Sequence, residues 1–370
     1  MAGLTASTGV MVVDTAMLGP LGAEPLAAAS LTTSVLIIFY AGLYGLTGPV
    51  GLLAGRAFGG GLMAKIGAIA RHGALLSAVG GVVAAALMAV MLLGLPWIGQ
   101  PDTVVDIVAA YWLCMATGLL PYALALAARN LLDATERPWT GVALSLPPIA
   151  LNAGLNWLLI YGHWGFPALG LTGAGVASVI ALSVGAALVW AWVRYAPSLR
   201  VWWPPSTLTR AGFAEQAREG MPMAWQYILE GGSVAVAGLM VGAFGVVALA
   251  GNQIAMAVGS TLYMLPLGAA AAVGIRVAQA SGAARHERVS AIAVAGLGAV
   301  SFWMIVVMLG FIVGGRQIAA AFTDVSAVVD AAAAILIVFG LMQLMDGVQS
   351  VSLGALRGLL DNRWPTRVSI

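Results

Sequence analysis

Charge is what this 370-residue chain has least of: 8% of its residues are Asp, Glu, Lys or Arg, against about 25% in an ordinary soluble domain. With 61% hydrophobic residues, that scarcity excludes a soluble globular protein. Cysteine is almost absent. The one thiol, Cys114, lies inside an apolar stretch, so there is no disulfide framework to read. Catalytic signatures are missing too: no HExxH, GxSxG, Walker loop or Asp-rich prenyl-diphosphate motif occurs. No cofactor is expected, and any energy the chain uses is expected from an ion gradient rather than ATP. A cleavable signal peptide is disfavoured by Asp14 and by the lack of a basic start.

What is there is apolar sequence in runs of about 20 residues, the length that crosses a bilayer as helix. Ten such runs lie near residues 2–19, 31–54, 74–98, 104–127, 140–161, 169–193, 221–243, 247–275, 289–314 and 328–354. They are continuous rather than alternating, which indicates helices and not barrel strands. The fold class is an all-α polytopic membrane protein. Fifteen of the sixteen Lys and Arg residues follow the even-numbered runs, and only Arg316 falls in an opposite loop. By the positive-inside rule those loops are cytoplasmic, as is the N-terminus. Basic residues at helix ends serve topology and form no patch for nucleic acid. His72 and His286 read as solvated loop residues, His163 as a loop residue of the other side, and the Trp202–Trp203 pair as resting at the interface.

A shift of 223 residues lays "VDTAMLGPLGAEPLAAAS" (13–30) over "VAGLMVGAFGVVALAGNQ" (236–253), with Gly22 on Gly245 and Tyr40 on Tyr263; later "RNLLD" (129–133) meets "RGLLD" (357–361). The pattern predicts a duplication into two six-helix lobes. An even number of helices gives both lobes one orientation, related by a pseudo-two-fold axis along the membrane normal. The boundaries read as an N-lobe 1–193, a polar, Pro-containing cytoplasmic linker 194–219 and a C-lobe 220–370. Counterparts of the fifth and sixth runs would begin near residue 368, so the C-lobe reads as lacking its last two helices, and the first helix as clipped.

Three acids interrupt apolar runs: Asp14, Glu230 and Asp346 in "LMQLMDGVQS". A charge at mid-membrane costs about 3 kcal/mol or more, so an acid kept there is by default an ion or substrate ligand. Asp14 near the outer interface, or Asp346 paired with Arg357 or water, are the structural alternatives. Asn152 and Asn156 stand at i, i+4 and share a helix face, where they either help Asp14 bind a ligand or tie the bundle together by hydrogen bonds. Asn252, Gln253, Gln343 and Gln349 are weaker candidates of the same kind. Pro147, Pro148 and Pro266 are expected to bend helices.

Taken together, "VDTAMLG", "ALGLTGAGVAS", "ALAGNQIA", "PLGAAAAVGIRVAQASGA" and "LMDGVQSVSLGALRGLLD" resemble the MATE (multidrug and toxic compound extrusion) transporters over nearly the whole chain. The resemblance implies a twelve-helix, two-lobe antiporter that exports cationic or amphipathic organic compounds in exchange for Na+ or H+. It matches Asp14 to the acid of the first helix, a proton or cation site, with Asn152 and Asn156 beside it. Glu230 and Asp346 match the acids that couple cations, including Na+, in the NorM-like branch. Asn156, where the DinF-like branch often carries aspartate, favours the NorM-like branch. The family also implies a monomer in the plasma membrane, the bacterial inner membrane. A lipid-linked oligosaccharide flippase of related build is the nearest alternative, against which stands the lack of Lys or Arg mid-helix. A membrane enzyme and an inert truncated relic are the others.

Overall fold

The computed structural model describes residues 14, 17–95, 102–203 and 208–361. Most of the first run, near 2–19, lies outside the described residues, as do Arg363 and Arg367. Among the described residues nine long helices follow in chain order: α1 Ala23–Gly59, α2 Met63–Leu92, α3 Asp102–Ala134, α4 Pro138–Tyr161, α5 Gly170–Tyr195, α6 Arg210–Gly242, α7 Val246–Gly282, α8 His286–Ala320 and α9 Ser326–Gly358. Each is longer than the apolar run read for it. The run marks only the hydrocarbon core, about 30 Å thick, whereas the 37 residues of α1 span about 55 Å at 1.5 Å per residue. The surplus continues the helices into the polar layer, carrying Arg56, Arg194 and Arg357 in last turns.

Among the described residues, eight helices are long and apolar enough to cross a membrane. The exception is α6, whose apolar half is interrupted by Gln226 and Glu230.

The chain divides into two compact units, Ala2–Ile228 and Leu229–Ile370. In the first, α3 is the central helix, packed by α1, α2 and α5, and α4 lies against α5. Its core has two parts, one around Met88, Trp112 and Leu119, the other around Val50, Leu131 and Leu199. In the second unit α7, α8 and α9 pack mutually, around Val277, Met304 and Val351 at one level and Phe311 and Leu336 at another. Lipid tails are as apolar as these side chains, so cohesion depends on close packing and small residues rather than on exclusion of water. At Gly354 of α9 an added Cβ would come within 2.3 Å of the Ala270 carbonyl oxygen of α7.

The repeat is visible in the backbone. Helices α1 and α7 both have 37 residues, and their bounds are related by the shift of 223. Each begins behind a glycine with a positive φ, 111° at Gly22 and 100° at Gly245. Each ends in the same turn, Leu62 N–H to Ala57 O (2.8 Å) in one and Arg285 N–H to Ala280 O (2.9 Å) in the other.

Two expectations fail here. His72 is 6% exposed, because α2 begins at Met63, well before the apolar run, and takes the residue into its interior-facing side. Its Nδ1 hydrogen-bonds Ala68 O at 2.8 Å, and its Nε2 accepts the Thr209 N–H at 2.9 Å. Trp202 is 3% exposed and belongs to the core rather than the interface. It ends a 3-10 turn, Pro197–Trp202, whose backbone presses onto α2 so closely that a Cβ on Gly67 would meet the Trp202 oxygen at 1.7 Å. Only Trp203 keeps an interfacial character, with Arg71 and Arg194 each 5.4 Å from its ring.

Candidate functional site

Asp14 is 6% exposed. Its two oxygens are held separately: the Asn156 amide donates to Oδ1 at 2.6 Å, and the Ser178 hydroxyl donates to Oδ2 at 2.6 Å. Behind them, the Asn152 amide donates to Ser178 Oγ at 3.1 Å, and Asn156 donates to Asn152 Oδ1 at 3.3 Å. A buried carboxylate is tolerable only when hydrogen-bonded or paired, and bonds to a charged acceptor are about twice as strong as neutral ones.

The i, i+4 spacing of the two asparagines places both on the side of α4 that faces α5, where Ser178 sits. Nearby, Tyr161 at the end of α4 donates to Met17 O at 2.6 Å, fastening the segment that carries Asp14. One acceptor, Asn156 Oδ1, is buried without a hydrogen-bond partner among the described residues.

Beside Asp14 lies a cavity of about 270 Å3. Its walls include Ser30, Thr33 and Ser34 of α1, the phenols Tyr40 and Tyr111, and Ser178. The described lining residues carry one acid and no basic side chain. Such a chamber suits a cationic or partly hydroxylated guest: a carboxylate for charge, hydroxyls for hydrogen bonds and aromatic faces for apolar or cationic surface.

Glu230 and Asp346 belong to the second unit and are arranged differently. Both side chains are exposed. They lie within electrostatic range of one another, and Arg357 within range of Glu230. One turn before Asp346 on α9, Gln343 is 4% exposed with its Oε1 unpaired among the described residues, and Ser350, one turn after it, hydrogen-bonds Tyr263 of α7. Among the described residues no three His, Cys, Asp or Glu side chains converge on a metal position. The oxygen-rich clusters fit protons or hard monovalent cations better than a transition metal.

The structure therefore brings Asp14, Asn152 and Asn156 into one hydrogen-bonded set, and Glu230 and Asp346 into electrostatic range of each other. Ser178 had not been singled out, although it ends the motif "ALGLTGAGVAS". Its signal was weak but present, as a hydroxyl on a helix face otherwise built from Gly and Ala. Asn252 is half-buried, while Gln253 and Gln349 are exposed.

Fold and site together define a helical, multi-span membrane protein with an acid-bearing polar chamber among its helices. The MatE family model matches residues 2–158 and 222–370, and the chain belongs to that family. Among its relatives, a probable multidrug resistance protein NorM of Synechococcus sp. is 31% identical over 99% of this chain and 80% of its own length. Another of Deinococcus radiodurans is 32% identical, over 99% of this chain and 81% of its own. Similar solved folds include the eukaryotic MATE transporter AtDTX14, with TM-score 0.87 and 20% identity over 99% of this chain and 82% of that one. The Vibrio cholerae MATE transporter VcmN in the bent form gives TM-score 0.88 and 20% identity over 100% and 83%.

Proposed function

We propose that this chain is a secondary multidrug efflux transporter, exporting cationic or amphipathic organic compounds in exchange for Na+ or H+. The observation that carries the reading is Asp14, an acid held by Asn156 and Ser178 at the wall of a chamber of about 270 Å3 whose described lining has no basic residue. Ionised, the carboxylate attracts an organic cation; protonated or occupied by Na+, it no longer does. Antiport requires such exclusion, since the two ligands must favour different states of the carrier. Glu230 and Asp346 form a second, more open coupling site, with Na+ as a candidate ligand between two like charges. The relatives named as multidrug resistance proteins support the substrate class.

Alternating access by rocking of an N-lobe (1–193) against a C-lobe (220–370), joined by the 194–219 linker, is the mechanism proposed. We place the transporter in the bacterial plasma membrane as a monomer, with its N-terminus in the cytoplasm. A flippase for lipid-linked pyrophosphates is less suitable, because its cavity needs cationic side chains.

The test is ethidium efflux from cells lacking their own pumps. Expression of the chain is expected to lower dye accumulation, and Asp14→Asn to abolish the effect at equal membrane levels. Full efflux by Asp14→Asn would remove Asp14 from the mechanism.

A further inference from the structure

Two hollows inside the Ala2–Ile228 unit share a wall. The chamber beside Asp14 and a smaller hollow of about 40 Å3, lined by Tyr122, Arg129 and Ser145, have Leu182 of α5 in common. Leu182 is the one described residue that lines both. Leu182 rests over Gly118 of α3, where an added Cβ would stand 3.2 Å from its Cδ1. An aromatic pair also joins the two linings: Tyr40 of α1 lines the first hollow and Tyr122 of α3 the second. Their rings stack with centroids 4.0 Å apart and planes at 27°.

An exchanging carboxyl that touched water on both sides would let protons run down their gradient without cargo. Apolar constrictions prevent this by excluding water, and a fixed positive charge opposes the approach of cations. Both devices occur here. Leu182 is common to the two hollows and the ring pair bridges their linings, with Asp14 and Tyr111 lining the one and Arg129, within electrostatic range of Asp133, lining the other.

We propose that Leu182, with the stacked Tyr40 and Tyr122, is an internal proton seal, which makes Leu182 a residue that sets coupling although it binds neither ion nor drug. The inference rests on the reading of Asp14 as the exchanging acid. Shortening Leu182 opens a water-wide gap, through which a proton on Asp14 passes to water in the second hollow and is replaced from the first.

The test uses the full chain in proteoliposomes loaded with a pH-sensitive dye, under an imposed pH gradient and without drug. Leu182→Ala is expected to leak protons severalfold faster than the parent, and Leu182→Phe to stay tight. The double variant Leu182→Ala/Asp14→Asn is expected to return to the parent's rate. If Leu182→Ala does not insert, Leu182→Val, which removes one methylene, decides by the same readout. A leak no faster than the parent's overturns the seal, and a leak that survives Asp14→Asn overturns its route through Asp14. Ethidium–ion exchange by the parent in the same vesicles reads the transport function separately, so loss of one conclusion is distinguishable from loss of the other.

Discussion

The two units carry matching scaffolds and unlike acids. Helices α1 and α7 have equal length, equivalent positive-φ glycines before them and equivalent turns after them. Yet Asp14 in the first unit is buried and receives two short hydrogen bonds, while Glu230 and Asp346 in the second are exposed and within range of each other's charge. Duplication supplied a frame, and the polar groups diverged upon it. An enclosed acid with fixed donors discriminates by geometry and depends on its neighbours to exist. An exposed pair with like charge depends on a counter-ion instead, and its removal disturbs the fold little.

The sharpest way to break this contrast is to separate activity from stability. Glu230→Ala and Asp346→Ala are each expected to abolish coupled efflux of ethidium. Their unfolding midpoints should stay at the parent's value, since exposed substitutions usually shift stability by less than about 0.5 kcal/mol. A large loss of stability in either variant would show that these acids hold the structure.

Next in size is the partner set of Asp14. Asn156→Ala removes a bond to a charged acceptor, worth about 1.5–3 kcal/mol, and is expected to weaken ethidium binding roughly ten- to hundredfold, as is Ser178→Ala. Asn152→Ala acts through Ser178 and should cost less, so equal effects of Asn152→Ala and Asn156→Ala would contradict the hydrogen-bond order.

Packing distinguishes crowded glycines from open ones. Gly67→Ala forces a methyl into the Trp202 carbonyl and is expected to destabilise by about 1–3 kcal/mol, measurable as a lower thermal midpoint of the purified protein. Gly232, which has nothing within 4 Å of its would-be Cβ, should accept alanine with little change.

Much of this architecture can be read from the chain, because hydrocarbon demands continuous apolar helices and leaves acids conspicuous. Asp14 stood out for that reason, as did the asparagines one turn apart. The repeat was readable through its glycines, since Gly22 and Gly245 mark the same helix start. His72 and Trp202 were misplaced because hydropathy marks where lipid ends, not where the helix ends, and α2 runs on beyond its apolar run. Ser178 is barely legible in the sequence, because a hydroxyl costs little in a membrane helix and so makes no contrast. The shared wall at Leu182 has no sequence signature, since leucine is the commonest way to fill space in such a protein and only its position between two hollows sets it apart.

The most direct test of the central claim, that ion and drug compete for Asp14, is equilibrium binding of ethidium to the purified protein as Na+ is raised or pH lowered. Competition by at least one of these cations in the parent, lost in Asp14→Asn, is the result this account predicts. Displacement of ethidium from Asp14→Asn at the same cation concentrations as from the parent would contradict it.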